Sequence, residues 1–199
     1  MTNANASRVV RILYKEIVPG DLRKIDAESN DSDTGGGARD FRFGSWNQIQ
    51  AVVRPMFPDT VYETRRRQGQ SQDTAIYQGV FCWHDAQGNM VQKESFFEPP
   101  TDARPSEGRI ARVHEYDCFE TSRVVGGEEG NKAVLLLIQR EDGSVWPHYT
   151  DERSLRTPRA WDSSVATHIL TCLAKPRVQN RTAIGCYDVS SAGTSYCNA

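Results

Sequence analysis

The sequence predicts a mainly β barrel or sandwich with one or two helices. Three observations lead there. Short runs of β-forming residues recur along the chain, several with polar and apolar residues alternating. Gly-, Pro- and Asp-containing turn signals separate them. Helical spacing is visible in only two segments, one early and one late.

Taken in order, Val9 to Tyr14 reads as a strand or a short helix, and Pro19-Gly20 as a turn. Leu22 to Ala27 reads as a strand, and Ser29 to Gly37 as a polar, glycine-rich loop. Arg39 to Phe43 alternates charged and aromatic residues, the pattern of a half-buried strand. Ser45 is a suitable N-cap for a helix with Trp46, Ile49, Val52 and Val53 on one face, ending before Pro55. Val61 to Thr64 is a short strand, and Arg65 to Gln72 an exposed basic loop. Ala75 to His84 and Met90 to Phe97 form a hairpin around Asp85-Ala-Gln-Gly-Asn89.

Pro99 to Gly108 is a loop and Arg109 to Val113 an alternating strand. Gly126 to Gly130 is a turn. Lys132 to Gln139 carries the continuous apolar run of a strand buried on both faces. It turns at Glu141 to Ser144 and returns through Val145 to Tyr149. Beyond Pro158 the pattern changes. Ser163 to Leu173 predicts an amphipathic helix that docks through Val165, Ile169 and Leu170, and residues from Gln179 show no period. The organisation is a β-rich domain over residues 1–158 and a helical or irregular appendage over 159–199.

Composition narrows the class. With 199 residues, 38% of them hydrophobic, the chain sits above the disordered range. No apolar run approaches the roughly 20 residues of a membrane helix, and the polar start is not a secretory signal, so a cytoplasmic location without membrane is expected. The five cysteines are odd in number and form no C-x-x-C pair, which argues for reduced thiols and against structural zinc. The net charge of −2 excludes a nonspecific nucleic-acid coat but not a local basic face. Arginine greatly outnumbers lysine, and its planar fork suits phosphate and guanine.

Two segments stand out, Asp33-Thr-Gly-Gly-Gly-Ala-Arg-Asp-Phe-Arg-Phe43 and Arg104-Pro-Ser-Glu-Gly-Arg-Ile-Ala-Arg-Val-His114. Each leaves a loop and enters a strand with arginines three residues apart. Such spacing straddles a strand, so these arginines either contact base or phosphate or form surface ion pairs, one of each pair facing solvent or bridging to Asp40 or Glu107. Arg65-Arg66-Arg67 reads as a solvated run or as a phosphate-positioning one.

With these landmarks, the hydrophobic strand at Lys132 to Gln139 and its Asp-Gly turn, the stretch Leu13 to Arg153 resembles the N-terminal effector domain of Type IIE restriction endonucleases. That domain is a DNA-binding pseudobarrel, an open β-barrel related to plant transcription-factor DNA-binding domains. The resemblance implies two arms that grip double-stranded DNA, Thr34 to Phe43 and Arg104 to His114, in a restriction or phage-defence context. Arg39 and Arg42 would serve the first arm. Glu107, Arg109 and Arg112 would serve the second; read from the residues alone, Arg104 at the start of that arm and Arg65, Arg66 and Arg67 are further candidate DNA contacts. Arg109 is expected to read a guanine edge. No cofactor and no metal is needed. A catalytic partner chain or a second copy of this chain are further partners. The chain departs from the family in its long spacer before the second arm, its charged first arm and the lack of a following endonuclease domain.

Two other classes stay open. A small metal-dependent nuclease or toxin would assemble Asp59, Glu63, Glu94, His84 and His114. A protein-interaction domain without nucleic acid would hold the arm arginines in internal ion pairs. His84, His114, His148 and His168 have no metal-ligand spacing, and the four tryptophans read as core or hairpin residues.

Overall fold

The computed structural model describes residues 7–25, 39–67, 70–176, 182–190 and 195–198, with the side chains of residues 65–67, 70 and 72 excepted. The predicted glycine-rich loop at 29–37, the start of the first arm at 34–38 and parts of the tail lie outside the described residues. The described chain is mainly β, a single sheet curled into an open half-barrel.

Along the chain come β1 (Val9–Ile17), α1 (Pro19–Ile25), β2 (Asp40–Phe43), α2 (Trp46–Met56), β3 (Asp59–Arg67), β4 (Gln70–His84), β5 (Met90–Glu98) and β6 (Gly108–Ala111). Three short 3-10 turns lie between Val113 and Arg123. Then follow β7 (Ala133–Arg140), β8 (Val145–Asp151), α3 (Glu152–Arg156), α4 (Ser163–Ala174), β9 (Ile184–Asp188) and β10 (Ser195–Cys197). The strand order is β10-β9-β1-β7-β8-β4-β5-β6-β2, with β3 paired to β4 off this path. Neighbours are antiparallel except β4 and β8, which meet in parallel at Phe81 and Val145.

The uninterrupted apolar run of β7 follows from burial on both faces. Leu135 and Leu137 join the core inside the half-barrel, where α2 lays Ile49, Val52 and Val53. Val134 and Leu136 join a second core on the outer face, against Val165, Ile169 and Leu173 of α4. β1 is split the same way, with Leu13 inward and Ile12 and Tyr14 outward. Each large side chain that α4 buries is worth about 1.5–3 kcal/mol, so the late helix is an integral layer of the fold.

Several expectations are corrected. Pro19-Gly20 and Leu22 to Ala27 are not a turn and a strand, because residues 19–25 form α1. Its Pro19 stands in the first turn, with Asp21 near the positive end and Arg23 and Lys24 near the negative end. Ser45 does not cap α2 through its side chain. It adopts a left-handed conformation (φ 59°), and the first helical amide, that of Trp46, donates to the Ser106 carbonyl at 3.0 Å. Helix α2 runs through Pro55 to Met56, because a proline in the last turn costs only one amide donor. With α3 added there are four helices among the described residues, not one or two.

The described part of the expected loop from Arg65 to Gln72, residues 65–67 and 70–72, is strand. Arg65, Arg66 and Arg67 continue β3, in register with Gln72, Ser71 and Gln70 of β4. Residues from Ile184 are not irregular either, since β9 pairs with β1 from Arg11↔Asp188 to Lys15↔Ile184, and β10 pairs with β9. Nor are all the thiols reduced. Cys172 of α4 and Cys197 of β10 form a disulfide across a sequence separation of 25, a closure worth about 3 kcal/mol. Cys82, Cys118 and Cys186 are free and buried. No helix of the described residues is long and apolar enough to cross a membrane.

Candidate nucleic-acid interface

Strands β2, β6 and β5 carry the arginines of the predicted arms. Phe41, Phe43 and Ile110 point into the core with no exposed surface. Period two then sends Asp40, Arg42 and Arg109 to the other face. Arg42 and Arg109 are register partners, and Glu98 is the partner of Arg109 on β5. Two arginines directly opposite each other repel. The carboxylates between them remove that cost. A Cβ on Gly108 would collide with the Phe97 ring, so glycine there lets β6 lie close against β5.

Arg109 is held by both acids. Its Nη2 lies 2.6 Å from Glu98 Oε2, and its Nη1 donates to Asp40 Oδ2 at 2.9 Å. Asp40 also accepts from Arg42 Nε at 3.2 Å and lies 3.8 Å from Lys24. Asp40 is 1% exposed and Glu98 5%, whereas the side chains of Arg42 and Arg109 are about one third exposed. Burial pulls the pKa of Arg109 down, but hydrogen bonds and charge from Glu98 and Asp40 outweigh it and raise it above the ordinary arginine value. Arg109 therefore spends its fork on its own fold. Three of its five N–H donors, at Nε, Nη1 and Nη2, are engaged within the fold.

The other arm residues are paired as well. Arg104 bonds Glu107 at 3.2 Å, with Arg42 4.0 Å from the same carboxylate. Arg112, just past β6 in a left-handed conformation (φ 55°), reaches Glu63 of β3 at 3.2 Å. The Arg39 carbonyl accepts from Val113 N at 3.1 Å. Burial, and next the Arg39 charge, hold His114 below the usual histidine range. The expected bridging to Asp40 and Glu107 is thus present. Sequence reasoning missed Glu98 and the lysine behind Asp40, Lys24. An acid ending the apolar Ser95-Phe-Phe-Glu98 run was the available signal.

The second basic region is the β3–β4 hairpin. From Val61↔Ile76 to Arg67↔Gln70 its two strands pair only with each other, because β5 begins its pairing at Tyr77. At about 3.4 Å per residue this is a two-stranded ribbon about 20 Å long. Its base is braced by Arg112–Glu63 and by Arg54, whose guanidinium lies 4.0 Å from the Tyr77 ring centre. Tyr62 is 73% exposed. Residues 65–72, Arg-Arg-Arg-Gln-Gly-Gln-Ser-Gln, hold three cations, three amides and no acid.

The nuclease residues are not brought together. Asp59 stands opposite Gln78 on β3 and Glu94 opposite Val80 on β5, on different sides of β4. His84 ends β4 at the exposed hairpin turn. Among the described residues no group of three or more His, Cys, Asp or Glu is placed to hold a metal ion. No family model, no curated protein and no solved structure matches this chain. The resemblance to the restriction-enzyme effector domain rests on its short motifs alone.

Proposed function

We propose that this chain is a double-stranded DNA-binding module whose contact element is the β3–β4 ribbon. The supporting observation is the ribbon itself: among the described residues its two strands pair only with each other, with Arg65, Arg66 and Arg67 at consecutive positions at the end of β3. The major groove of B-form DNA admits a two-stranded ribbon, arginine binds phosphate or guanine, and glutamine suits adenine. The two-arm clamp has a smaller part in this reading. Its arginines at 42, 104, 109 and 112 are ion-paired within the fold and set the ribbon base and the sheet edge. A local cationic tip on a chain of net charge −2 gives weak bulk attraction and a defined point of contact. A cytoplasmic location belongs to the same proposal. The Cys172–Cys197 disulfide weighs against it, since cytosolic thiols are kept reduced.

The test is a salt titration of binding to a short labelled duplex. Affinity should fall steeply as salt rises. Joint replacement Arg65→Ala, Arg66→Ala and Arg67→Ala should make the log–log slope shallower by about 0.9 for each phosphate no longer neutralised. Folded protein that binds no duplex at about 50 mM salt overturns the proposal, as does a triple variant with unchanged affinity and slope. The first of these results selects a protein-interaction domain without nucleic acid, the reading that the ion-paired arm arginines favour.

A further inference from the structure

Between β1, the β2–α2 connection, the loop before β6 and the C-terminal strands lies a cavity of about 370 Å³. Its lining is mixed, polar and apolar, and includes Lys15, Arg42, Ser45, Ser106, Thr182 and Asn198. Lys15 is 4% exposed. Its ammonium lies 3.1 Å from Asp21 and donates to Thr182 Oγ1 at 3.0 Å. An ammonium has three donors, so one remains for the cavity that Lys15 lines.

The charges behind the wall do not balance. Lys15, Asp21, Lys24, Asp40, Arg42, Arg109 and Glu98 form one connected network through contacts of 3.1, 3.6, 3.8, 3.2, 2.9 and 2.6 Å. Among the described residues it contains four cations and three carboxylates. Asp21 is shared by two lysines, and Asp40 by three cations. Glu107, the one acid lining the cavity among the described residues, is engaged by Arg104 at 3.2 Å, which leaves the surplus unchanged. Two of these cations reach the cavity, Lys15, whose pKa burial lowers against the opposing pull of Asp21, and Arg42, which also lies 4.0 Å from Glu107.

The wall also carries hydroxyl groups. Ser45 makes no side-chain cap to α2. Ser106 is exposed on the rim. Asn198 is fixed by two side-chain bonds, accepting from Ile184 N at 2.7 Å and donating to the Thr182 carbonyl at 3.1 Å. The disulfide at the adjacent Cys197 anchors that strand. A Cβ added at Gly44 would meet nothing within 4 Å, so the space on that side is open.

We propose that this cavity binds a phosphate monoester of sugar or nucleoside size, its phosphate taken by Lys15 and Arg42 and its hydroxyls by the Ser45, Ser106 and Thr182 side. The site is separate from the ribbon and stands or falls without it. A phosphate group supplies acceptors for the remaining Lys15 donor and the Arg42 guanidinium, and the volume exceeds what phosphate alone fills.

Calorimetric titration at matched ionic strength tests this with inorganic phosphate, adenosine 5′-monophosphate and adenosine. Both phosphates should bind, the ester more tightly and with Kd on the order of 1 mM or below, and adenosine should not. Lys15→Met should abolish binding, but it removes a buried ion pair and endangers the fold. The decisive variant is therefore Ser106→Glu on the exposed rim, expected to fold normally and to weaken both phosphates about tenfold or more. The Arg65, Arg66 and Arg67 triple alanine variant should bind both as the parent does. Absence of binding by folded protein, binding of phosphate without the ester, or unchanged binding by Ser106→Glu would overturn the site.

Discussion

Arg42 and Arg109 stand over buried Asp40 and Glu98, whereas Arg65, Arg66 and Arg67 stand on a ribbon whose strands pair only with each other. The residue type is the same, and so is the strand context. What differs is what lies beneath. At the sheet edge, carboxylates 1% and 5% exposed need a cation, because a desolvated charge without a partner is costly. The arginines there are committed to folding. No acid occurs between positions 65 and 72, so within the ribbon tip no neighbouring carboxylate in sequence claims these cations, which is the ground on which the proposed contact rests. Arginine spacing alone does not distinguish a reader from a brace; the burial of the nearest carboxylate does.

The comparison can be broken by substitution, and the largest effect is expected at Asp40. Asp40→Ala leaves Arg42, Arg109 and Lys24 without their common partner and should cost about 3–4 kcal/mol in chemical denaturation. A loss below about 1 kcal/mol would mean that solvent serves these cations equally well.

Arg109→Ala comes next, at about 2–3 kcal/mol, since it takes from buried Glu98 the cation 2.6 Å away while Asp40 keeps two others. Arg109→Lys should recover only part, because one ammonium does not span both acids. Duplex affinity per folded molecule should not change. A sequence-selective affinity loss without a stability loss would restore Arg109 as a base reader.

The ribbon should behave in the opposite way. The triple alanine variant at 65, 66 and 67 should keep its stability within about 0.5 kcal/mol while losing the salt-dependent part of duplex binding. A large stability loss would show that these arginines also brace the fold.

The smallest effect is a pH dependence located in neither basic region. His168 of α4 bonds Tyr14 OH at 3.1 Å, and burial holds its pKa below the ordinary histidine value. The unfolded chain then binds the proton more readily. The stability gained from neutral His168 is complete above about pH 6.5 and is lost as pH falls through the folded pKa. Denaturation midpoints should decline over this range and decline less in His168→Gln. Identical slopes would place the titration elsewhere.

Much of the fold was legible because local pattern and burial agree. The β7 run is apolar because both faces are covered, the β4–β5 turn closes on Asp85, whose Oδ1 accepts from the Gln87 and Asn89 amides, and α4 shows its buried stripe. Helix α1 was hidden behind a Pro-Gly pair that also signals a turn. The ribbon was hidden because a polar, basic segment has no hydrophobic period to betray a strand. β9 was hidden because Ile-Gly-Cys-Tyr-Asp is small and mixed, and its extended form comes from pairing with β1.

By itself, the sequence determined a β-rich chain, its central buried strand, its two clear helices and which arginines would gather on short strands. These depend on composition and spacing over a few residues. Only the tertiary structure decided what those arginines do. Arg109 meets Glu98 from 11 positions away and Asp40 from 69. The cavity wall joins Lys15 to Thr182, 167 positions apart. Electrostatic roles depend on distance and burial in space, and neither is encoded in local periodicity.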